Sequence, residues 1–173
     1  MPFSSIFVTV GTTQFNELIK TICTTEVREA LKEIGCKTLT IQTGTGDVPT
    51  EITEIYANTE GITLKTYELK STIAQDIKEA DLVVSHAGAG SCIEVLRAGK
   101  PLLTVINDEL ADNHQVELAE ELCRQGYLFF CTPKRLAQAL RQFDATKLKK
   151  YEQGNVKEFV KYLDNFMGFD VKA

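Results

Sequence analysis

Short apolar runs that alternate with segments of helical spacing constrain the fold of this 173-residue chain more than any other feature. Six of these runs are strand-like, at residues 5–10, 38–43, 62–67, 81–86, 101–106 and 127–131. Strands that alternate with helices predict crossover connections, and therefore a mainly parallel, doubly wound sheet of the α/β class. The apolar central runs agree with this prediction, because parallel strands are buried on both faces.

Helical spacing fills most of the intervals between these runs. One apolar stripe extends from Phe15 to Ile34 and is ended by Gly35. Four further helices are predicted, at residues 71–80, 91–98, 113–125 and 155–167. The last of them belongs to a helical tail over 143–173, and its apolar stripe packs either on its own domain or on another chain. We expect one domain spanning residues 1–173, completed by this amphipathic C-terminal helix.

Composition and charge exclude several classes of protein. The chain has 43% hydrophobic and 25% charged residues and no apolar run near the roughly 18 residues of a membrane span. Its start, MPFSSIFVTVG, has no basic segment and is interpreted as a strand and not as a signal peptide. Residues 1–133 carry 19 acidic and 10 basic side chains, which argues against nucleic-acid binding. Residues 134–173 carry 9 basic and 5 acidic ones and face a partner, an anionic membrane surface or simply solvent.

Several catalytic classes lack their motifs. There is no GxxxxGK[ST] of a P-loop, and Ile93 occupies the second glycine position of a GxSxG nucleophile elbow. No DxD, HxH or CxxC pair offers a metal site. The five cysteines are odd in number, and we expect reduced, mostly buried thiols in a cytosolic setting. The first strand is followed by VGTTQF and not by GxGxxG, which leaves an NAD-dependent enzyme as a weaker alternative.

The ligand of a doubly wound sheet binds beyond the carboxyl ends of the strands, where the strand order reverses. The first and fourth strands usually meet there, and the loops that leave them are GTTQ at 11–14 and AGAGS at 87–91. Glycine permits close approach of backbone to a ligand, and the first-turn amides of a helix starting at Ser91 carry about half a positive charge. This combination predicts a pyrophosphate site, whereas the alternative is that Gly88 and Gly90 only form a tight turn.

Glu94 and His86 lie beside these loops, and each has two interpretations. Ser91 and Glu94 fit a capping box, in which each satisfies a backbone donor of the other. Glu94 is equally suited to accept the hydroxyls of a ribose whose phosphates lie on the loop. His86 is either a donor to phosphate or a packed histidine.

A further polar cluster follows the fifth strand. Asp112 and Asn113 are alternative caps of the next helix. His114 and Gln115 lie in the first turn of that helix, within reach of a sugar or phosphate at the same edge of the sheet.

Three segments resemble one family: FVTVGTTQF near the start, ADLVVSHAGAGSCIEVLRAGKPLLTVIN in the middle and NHQVELAEEL after it. They are similar to the catalytic subunits of the UDP-N-acetylglucosamine transferase that adds the second sugar to the dolichol carrier. The resemblance covers nearly the whole chain and is most specific across residues 80–122. A more remote similarity is to the bacterial enzyme that makes lipid II, whose two-domain GT-B fold binds UDP-sugar in its C-terminal half. The chain resembles that Rossmann-like donor half alone.

The resemblance implies a donor-binding set on the two loops and at the start of the later helix: Gly11, Thr12, Thr13, His86, Gly88, Ala89, Gly90, Ser91, Glu94, Asn113, His114 and Gln115. It implies that residues 88–91 hold the pyrophosphate, that Glu94 holds the ribose and that residues 114–115 lie beside the N-acetylglucosamine. Residues 11–13 line the opposite wall, and the uracil edge meets backbone in the loop 67–70.

The resemblance also implies a reaction and its partners. N-acetylglucosamine passes from UDP to the 4-hydroxyl of N-acetylglucosaminyl-diphosphodolichol, with inversion and a β-1,4 linkage, and no metal or other cofactor is expected. Because the chain resembles the donor half alone, a membrane-anchored partner subunit is expected to supply the general base and the lipid-linked acceptor site. The tail is its expected docking surface, at the cytosolic face of the endoplasmic reticulum. The alternative is a non-catalytic nucleotide-sugar binding module.

Overall fold

The computed structural model describes residues 2–46, 52–107 and 113–151. Its strands are β1 (Ser5–Thr9), β2 (Thr38–Gln42), β3 (Thr63–Tyr67), β4 (Leu82–His86), β5 (Leu102–Val105) and β6 (Phe129–Cys131). Its helices are α1 (Asn16–Ile22), α2 (Thr25–Glu33), α3 (Ile52–Ala57), α4 (Ala74–Glu79), α5 (Ala89–Arg97), α6 (Asn113–Arg124) and α7 (Leu136–Gln142). Short 3-10 turns cover Pro133–Arg135 and Ala145–Lys147.

All six strands form one sheet in the order β3-β2-β1-β4-β5-β6, and every neighbouring pair is parallel. The chain adds strands in one direction from β1 to β3 and then returns to place β4 beside β1, so the order reverses between β1 and β4. The predicted doubly wound α/β fold is confirmed, and each predicted strand is present within two residues of its expected bounds.

Apolar side chains that alternate along the strands fill a core on each face of the sheet. In β1, Ile6 and Val8 face the core shared with α1, α2, α3 and α7, whereas Phe7 faces the core shared with α4, α5 and α6. The strands are therefore buried on both sides. This burial leaves only the edges of the sheet, and the loops at its carboxyl edge in particular, free to bind a ligand.

The described residues form more helices than the sequence predicted. The long stripe after β1 is divided into α1 and α2, because Thr24 is extended (φ −66°, ψ 148°) and its side chain accepts the amide of Val27 at 3.4 Å. Helices α3 and α7 were not predicted; α3 is anchored by the buried Tyr56, whose hydroxyl donates to the carbonyl of Ile22 at 2.8 Å. The predicted helix at 155–167 lies outside the described residues.

The five cysteines are free thiols, as predicted. Cys36, Cys92 and Cys131 are buried, and burial raises the pKa of Cys36 to about 12 and that of Cys92 to about 11. Thiols in such surroundings stay protonated and inert near neutral pH, so these side chains serve packing.

Candidate functional site

A cleft of about 510 Å³ opens at the carboxyl edge of the sheet, where β1 and β4 lie side by side. It is lined by residues that end or follow β1, β2, β3 and β4 and by the start of α5: Gly11, Thr12, Gln42, Lys70, Ser71, Thr72, Ile73, His86, Gly88, Gly90, Ser91 and Glu94. The two glycine-containing loops singled out in the sequence therefore face one cleft, at the point where doubly wound sheets bind their ligands.

The start of α5 presents bare backbone to this cleft. Gly88 is the N-cap residue, with extended backbone (φ −74°, ψ 126°), and no side chain caps the helix. Its carbonyl accepts the amide of Cys92 at 3.0 Å, which is the first bond of the helix. The amides of residues 88–91 consequently have no partner within the helix and form the positive end of its dipole.

The helix begins two residues earlier than the sequence suggested, and this changes the meaning of Ser91 and Glu94. Ser91 lies inside the first turn of α5, so it is not the N-cap residue that a capping box requires. The capping-box interpretation is therefore wrong. Glu94 lies one turn further along, partly buried, and lines the cleft beside the uncapped amides. A carboxylate there offers two acceptor oxygens next to a site suited to an anion.

His86, the last residue of β4, lies between two glycines. A Cβ built at Gly11 would be 2.6 Å from Cε1 of the imidazole, and one built at Gly88 would overlap Nε2. Gly11 also has a φ of 64°, a conformation that favours glycine. Both glycines thus make room for the histidine itself. Burial lowers the pKa of His86, which the Thr9 backbone opposes in part, so the imidazole is neutral near pH 7.

Gly90 has a different environment. Nothing lies within 4 Å of a Cβ built at this residue, and Gly90 is exposed at the cleft. Glycine within a helix costs about 0.5–1 kcal/mol relative to alanine. Since no neighbour among the described residues requires a glycine here, the open space beside it is available to a ligand.

Gln42 is a cleft residue that the sequence analysis missed. The buried hydroxyl of Thr9 donates to Oε1 of Gln42, and the amide of Gly11 donates to Oγ1 of Thr9 at 3.0 Å. These bonds fasten the turn after β1 to the end of β2. Because Oε1 accepts from Thr9, the amide nitrogen of Gln42 is the group left to donate to a ligand.

The side chain of Lys70 is the second part of the cleft that was missed. It is the only cationic side chain among the described residues that line the cleft. Its Nζ lies 2.9 Å from both carboxylate oxygens of Asp76 in α4 and 3.7 Å from the centroid of the Tyr67 ring. The loop that follows β3 therefore forms one wall of the cleft, and Lys70 is the last residue of the segment 67–70 at which we expected the uracil edge.

The remaining predicted site residues whose side chains the structure describes do not line the cleft. Thr13 and Ala89 flank lining residues in the chain but are not part of the wall. Residues 113–115 occupy the first turn of α6, as expected. Gln115 is partly buried and is not a lining residue, and the side chains of the two residues before it lie outside the described part of the chain. Asp112, the alternative cap, also lies outside it.

The described residues contain neither a metal-binding cluster nor a membrane-spanning helix. No group of three or more His, Cys, Asp and Glu side chains within 2–46, 52–107 and 113–151 is arranged to hold a metal ion. Over the same ranges, no helix is both long enough and apolar enough to cross a membrane.

The fold and cleft define a doubly wound α/β domain with an open helix N-terminus and a carboxylate at its switch point. Residues 5–165 match the glycosyltransferase family 28 C-terminal domain. Because this match covers most of the 173 residues, the chain belongs to that family.

Named relatives agree with this assignment. The human UDP-N-acetylglucosamine transferase subunit ALG13 is 46% identical over 127 residues, which are 73% of this chain and 11% of the human protein. The chain thus spans about a tenth of that relative. The Kluyveromyces lactis protein of the same name is 30% identical over 191 aligned residues, covering 94% of this chain and 97% of the relative. The resemblance stated from the sequence is confirmed.

Solved structures agree as well. An NMR solution structure of ALG13 superposes with a TM-score of 0.70 at 25% identity and covers 94% of this chain and 96% of that one. The crystal structure of Acinetobacter baumannii MurG superposes with a TM-score of 0.66 at 22% identity, over 94% of this chain and 49% of MurG. The second likeness supports the fold alone and identifies it with about half of a larger protein.

Proposed function

We propose that the cleft binds UDP-N-acetylglucosamine and that the chain is the donor-binding subunit of a glycosyltransferase. The observation that carries this proposal is the uncapped N-terminus of α5 with Glu94 one turn along, both facing one cleft. A helix end of this kind suits a diphosphate, and a carboxylate one turn away suits the ribose hydroxyls. The family, and the name of the human relative, support the same donor.

In this proposal each part of the donor has its own surface. The diphosphate binds the amides of residues 88–91, beside the open space at Gly90, and the ribose hydroxyls donate to Glu94. The uracil edge meets backbone in the loop 67–70. The N-acetylglucosamine extends toward residues 114–115 at the start of α6.

The proposed reaction is an inverting displacement at the anomeric carbon. The bond from that carbon to the β-phosphate oxygen breaks, and a bond to the 4-hydroxyl oxygen of N-acetylglucosaminyl-diphosphodolichol forms with a β-1,4 linkage. The hydroxyl proton passes to a general base, and UDP departs with the bonding electrons. Preorganised amides at residues 88–91 stabilise the charge that grows on UDP, and each such donor typically contributes a few kcal/mol. The stabilisation does not require a metal ion.

We assign the general base and the acceptor site to a membrane-anchored partner subunit at the cytosolic face of the endoplasmic reticulum. The human relative is named a subunit, which supports a complex. The proposed docking surface is the tail over 143–173, most of which lies outside the described residues.

The test is a transfer assay from UDP-N-acetylglucosamine to N-acetylglucosaminyl-diphosphodolichol, with and without microsomal membranes. We expect product only when membranes are present, and Glu94→Ala is expected to reduce its formation strongly. Turnover by the purified chain alone would contradict the need for a partner. UDP binding without transfer, even when membranes are supplied, would favour the non-catalytic binding module.

A further inference from the structure

The charges that line the cleft are poorly matched to a diphosphate unless Lys70 takes part. Glu94 is acidic, His86 is neutral, and Asp76 stands directly behind Lys70. The N-terminus of α5 contributes only about half a positive charge. Lys70 is the only full positive charge on the described cleft wall, and a diphosphate carries more than one negative charge.

In the free protein the Lys70 side chain contacts Asp76 of α4 and Tyr67 of β3. Its Nζ lies 2.9 Å from Oδ1 and 2.9 Å from Oδ2 of Asp76, and 3.7 Å from the centroid of the Tyr67 ring. The Lys70 side chain is nevertheless 45% exposed. An ion pair this open to water contributes little to stability, because solvent and salt screen it.

Asp76 does not depend on Lys70 for a partner. Its Oδ2 also accepts the hydroxyl of Tyr67 at 2.7 Å, and the carboxylate is mostly shielded, with 12% of its side chain exposed. Burial, and after it the hydrogen bond to Asp76, raise the pKa of Tyr67, so the phenol keeps its proton at neutral pH. If Lys70 left, the carboxylate would keep this donor. Release of Lys70 therefore leaves the carboxylate with a hydrogen bond at Oδ2.

We propose that Lys70 is a ligand-binding residue that exchanges Asp76 for the diphosphate of the bound nucleotide, with Asp76 and Tyr67 holding it at the cleft until then. The inference rests on the proposed function, because it names a further residue of the same site. The long, flexible lysine stem permits the exchange without movement of the backbone. Lys70 thus contributes to affinity in proportion to the phosphate charge and not through contact with the nucleoside.

The test compares UDP with uridine. Chemical-shift titrations of the ¹⁵N-labelled full chain give the Kd of each compound for the wild type, for Lys70→Met and for Lys78→Met. Lys78 is an exposed lysine of α4 that does not line the cleft, and so it is the matched control. We expect Lys70→Met to raise the Kd for UDP about tenfold and to leave that for uridine unchanged. Lys78→Met should alter neither Kd.

A second variant tests the exchange itself. Asp76→Asn removes the competing charge while keeping an acceptor for Tyr67, so we expect UDP to bind two- to threefold more tightly, on the order of a weak surface ion pair. Weaker binding of UDP by Asp76→Asn would contradict the exchange. An unchanged Kd for UDP in Lys70→Met, or an equal loss for uridine, would overturn the role of Lys70 while leaving the proposed function intact. Absence of UDP binding by the wild type would overturn both.

Discussion

The Nε2 atom of His86 lies against the backbone of Gly88 so closely that any Cβ at residue 88 would overlap the imidazole. On its other side, the ring would be 2.6 Å from a Cβ at residue 11. One imidazole therefore separates the loop after β1 from the loop after β4. This side chain fills the space between the two loops.

The first prediction follows from that contact. Gly88→Ala is expected to lower the free energy of unfolding by about 1–3 kcal/mol, because the new methyl group must displace the ring. The control is Gly90→Ala, because nothing lies within 4 Å of a Cβ built at Gly90. This substitution should raise the free energy of unfolding by about 0.5–1 kcal/mol. Urea unfolding followed by circular dichroism measures both. Similar destabilisation by the two substitutions would show that the histidine is not the cause.

The second prediction concerns Glu94. Glu94→Ala should raise the Kd for UDP at least tenfold, because two ribose hydroxyls lose a charged acceptor. The free energy of unfolding should change by less than about 0.5 kcal/mol, since Glu94 caps nothing in α5. Calorimetric titration and urea unfolding of the same preparation measure both quantities. Glu120→Ala, at an exposed position of α6, is the control and should leave both unchanged. A loss of stability without a loss of affinity would restore a structural role for Glu94.

The third prediction concerns pH. The pKa of His86 is lowered by burial, so the unfolded chain binds this proton more readily than the folded one. The neutral His86 imidazole therefore makes its full contribution to stability above about pH 6.5, the pKa of histidine in the unfolded chain. That contribution is lost as the pH falls through the lower pKa of His86 in the folded chain. Unfolding free energies at pH 7.5, 6.5 and 5.5 should decline more steeply in the wild type than in His86→Gln. Gln138→Ala, at an exposed position of α7, removes no titratable group and is the control that should retain the wild-type slope. Identical slopes in the wild type and His86→Gln would count against a lowered pKa of His86 in the folded chain.

The fourth prediction concerns the buried bond between Thr9 and Gln42. Gln42→Leu should lower the free energy of unfolding by about 1–3 kcal/mol, because the Thr9 hydroxyl loses its acceptor in a buried place. Adding Thr9→Val should cost less in the Gln42→Leu background than in the wild type. The double-mutant cycle then gives a coupling energy of about 0.5–3 kcal/mol. Gln138→Leu, at an exposed position of α7, is the control. Additive effects of Gln42→Leu and Thr9→Val would argue against the hydrogen bond between Thr9 and Gln42.

The sequence predicted the parts of the fold that depend on local pattern. All six strands were found because runs such as 81–86 are apolar on both faces, a property that parallel strands share. The two glycine-containing loops predicted that the cleft lies at the carboxyl edge of the sheet. The short helices were missed because their stability comes from contacts remote in sequence; α3, for example, is anchored by Tyr56 on the carbonyl of Ile22.

The site was predicted less completely, for reasons of the same kind. Spacing placed Ser91 at the N-cap, but Gly88 takes that conformation, and spacing alone does not tell which residue turns the chain into the helix. Gln42 reaches the cleft because the sheet register places it opposite Thr9, 33 positions earlier. Polar residues that end apolar strands are the signal that identifies such a pair. The side chain of Lys70 gave no signal, since its surroundings come from α4 and β3 together.

The bonds from Gly11 to Thr9 and from Thr9 to Gln42 have a consequence for affinity. They hold the turn after β1 in shape before any ligand arrives, so the entropy of ordering that turn is lost during folding and not during association. More of the contact energy at this wall is then expressed as affinity. A substitution in β2, far from the loop in sequence, should weaken binding by loosening that turn.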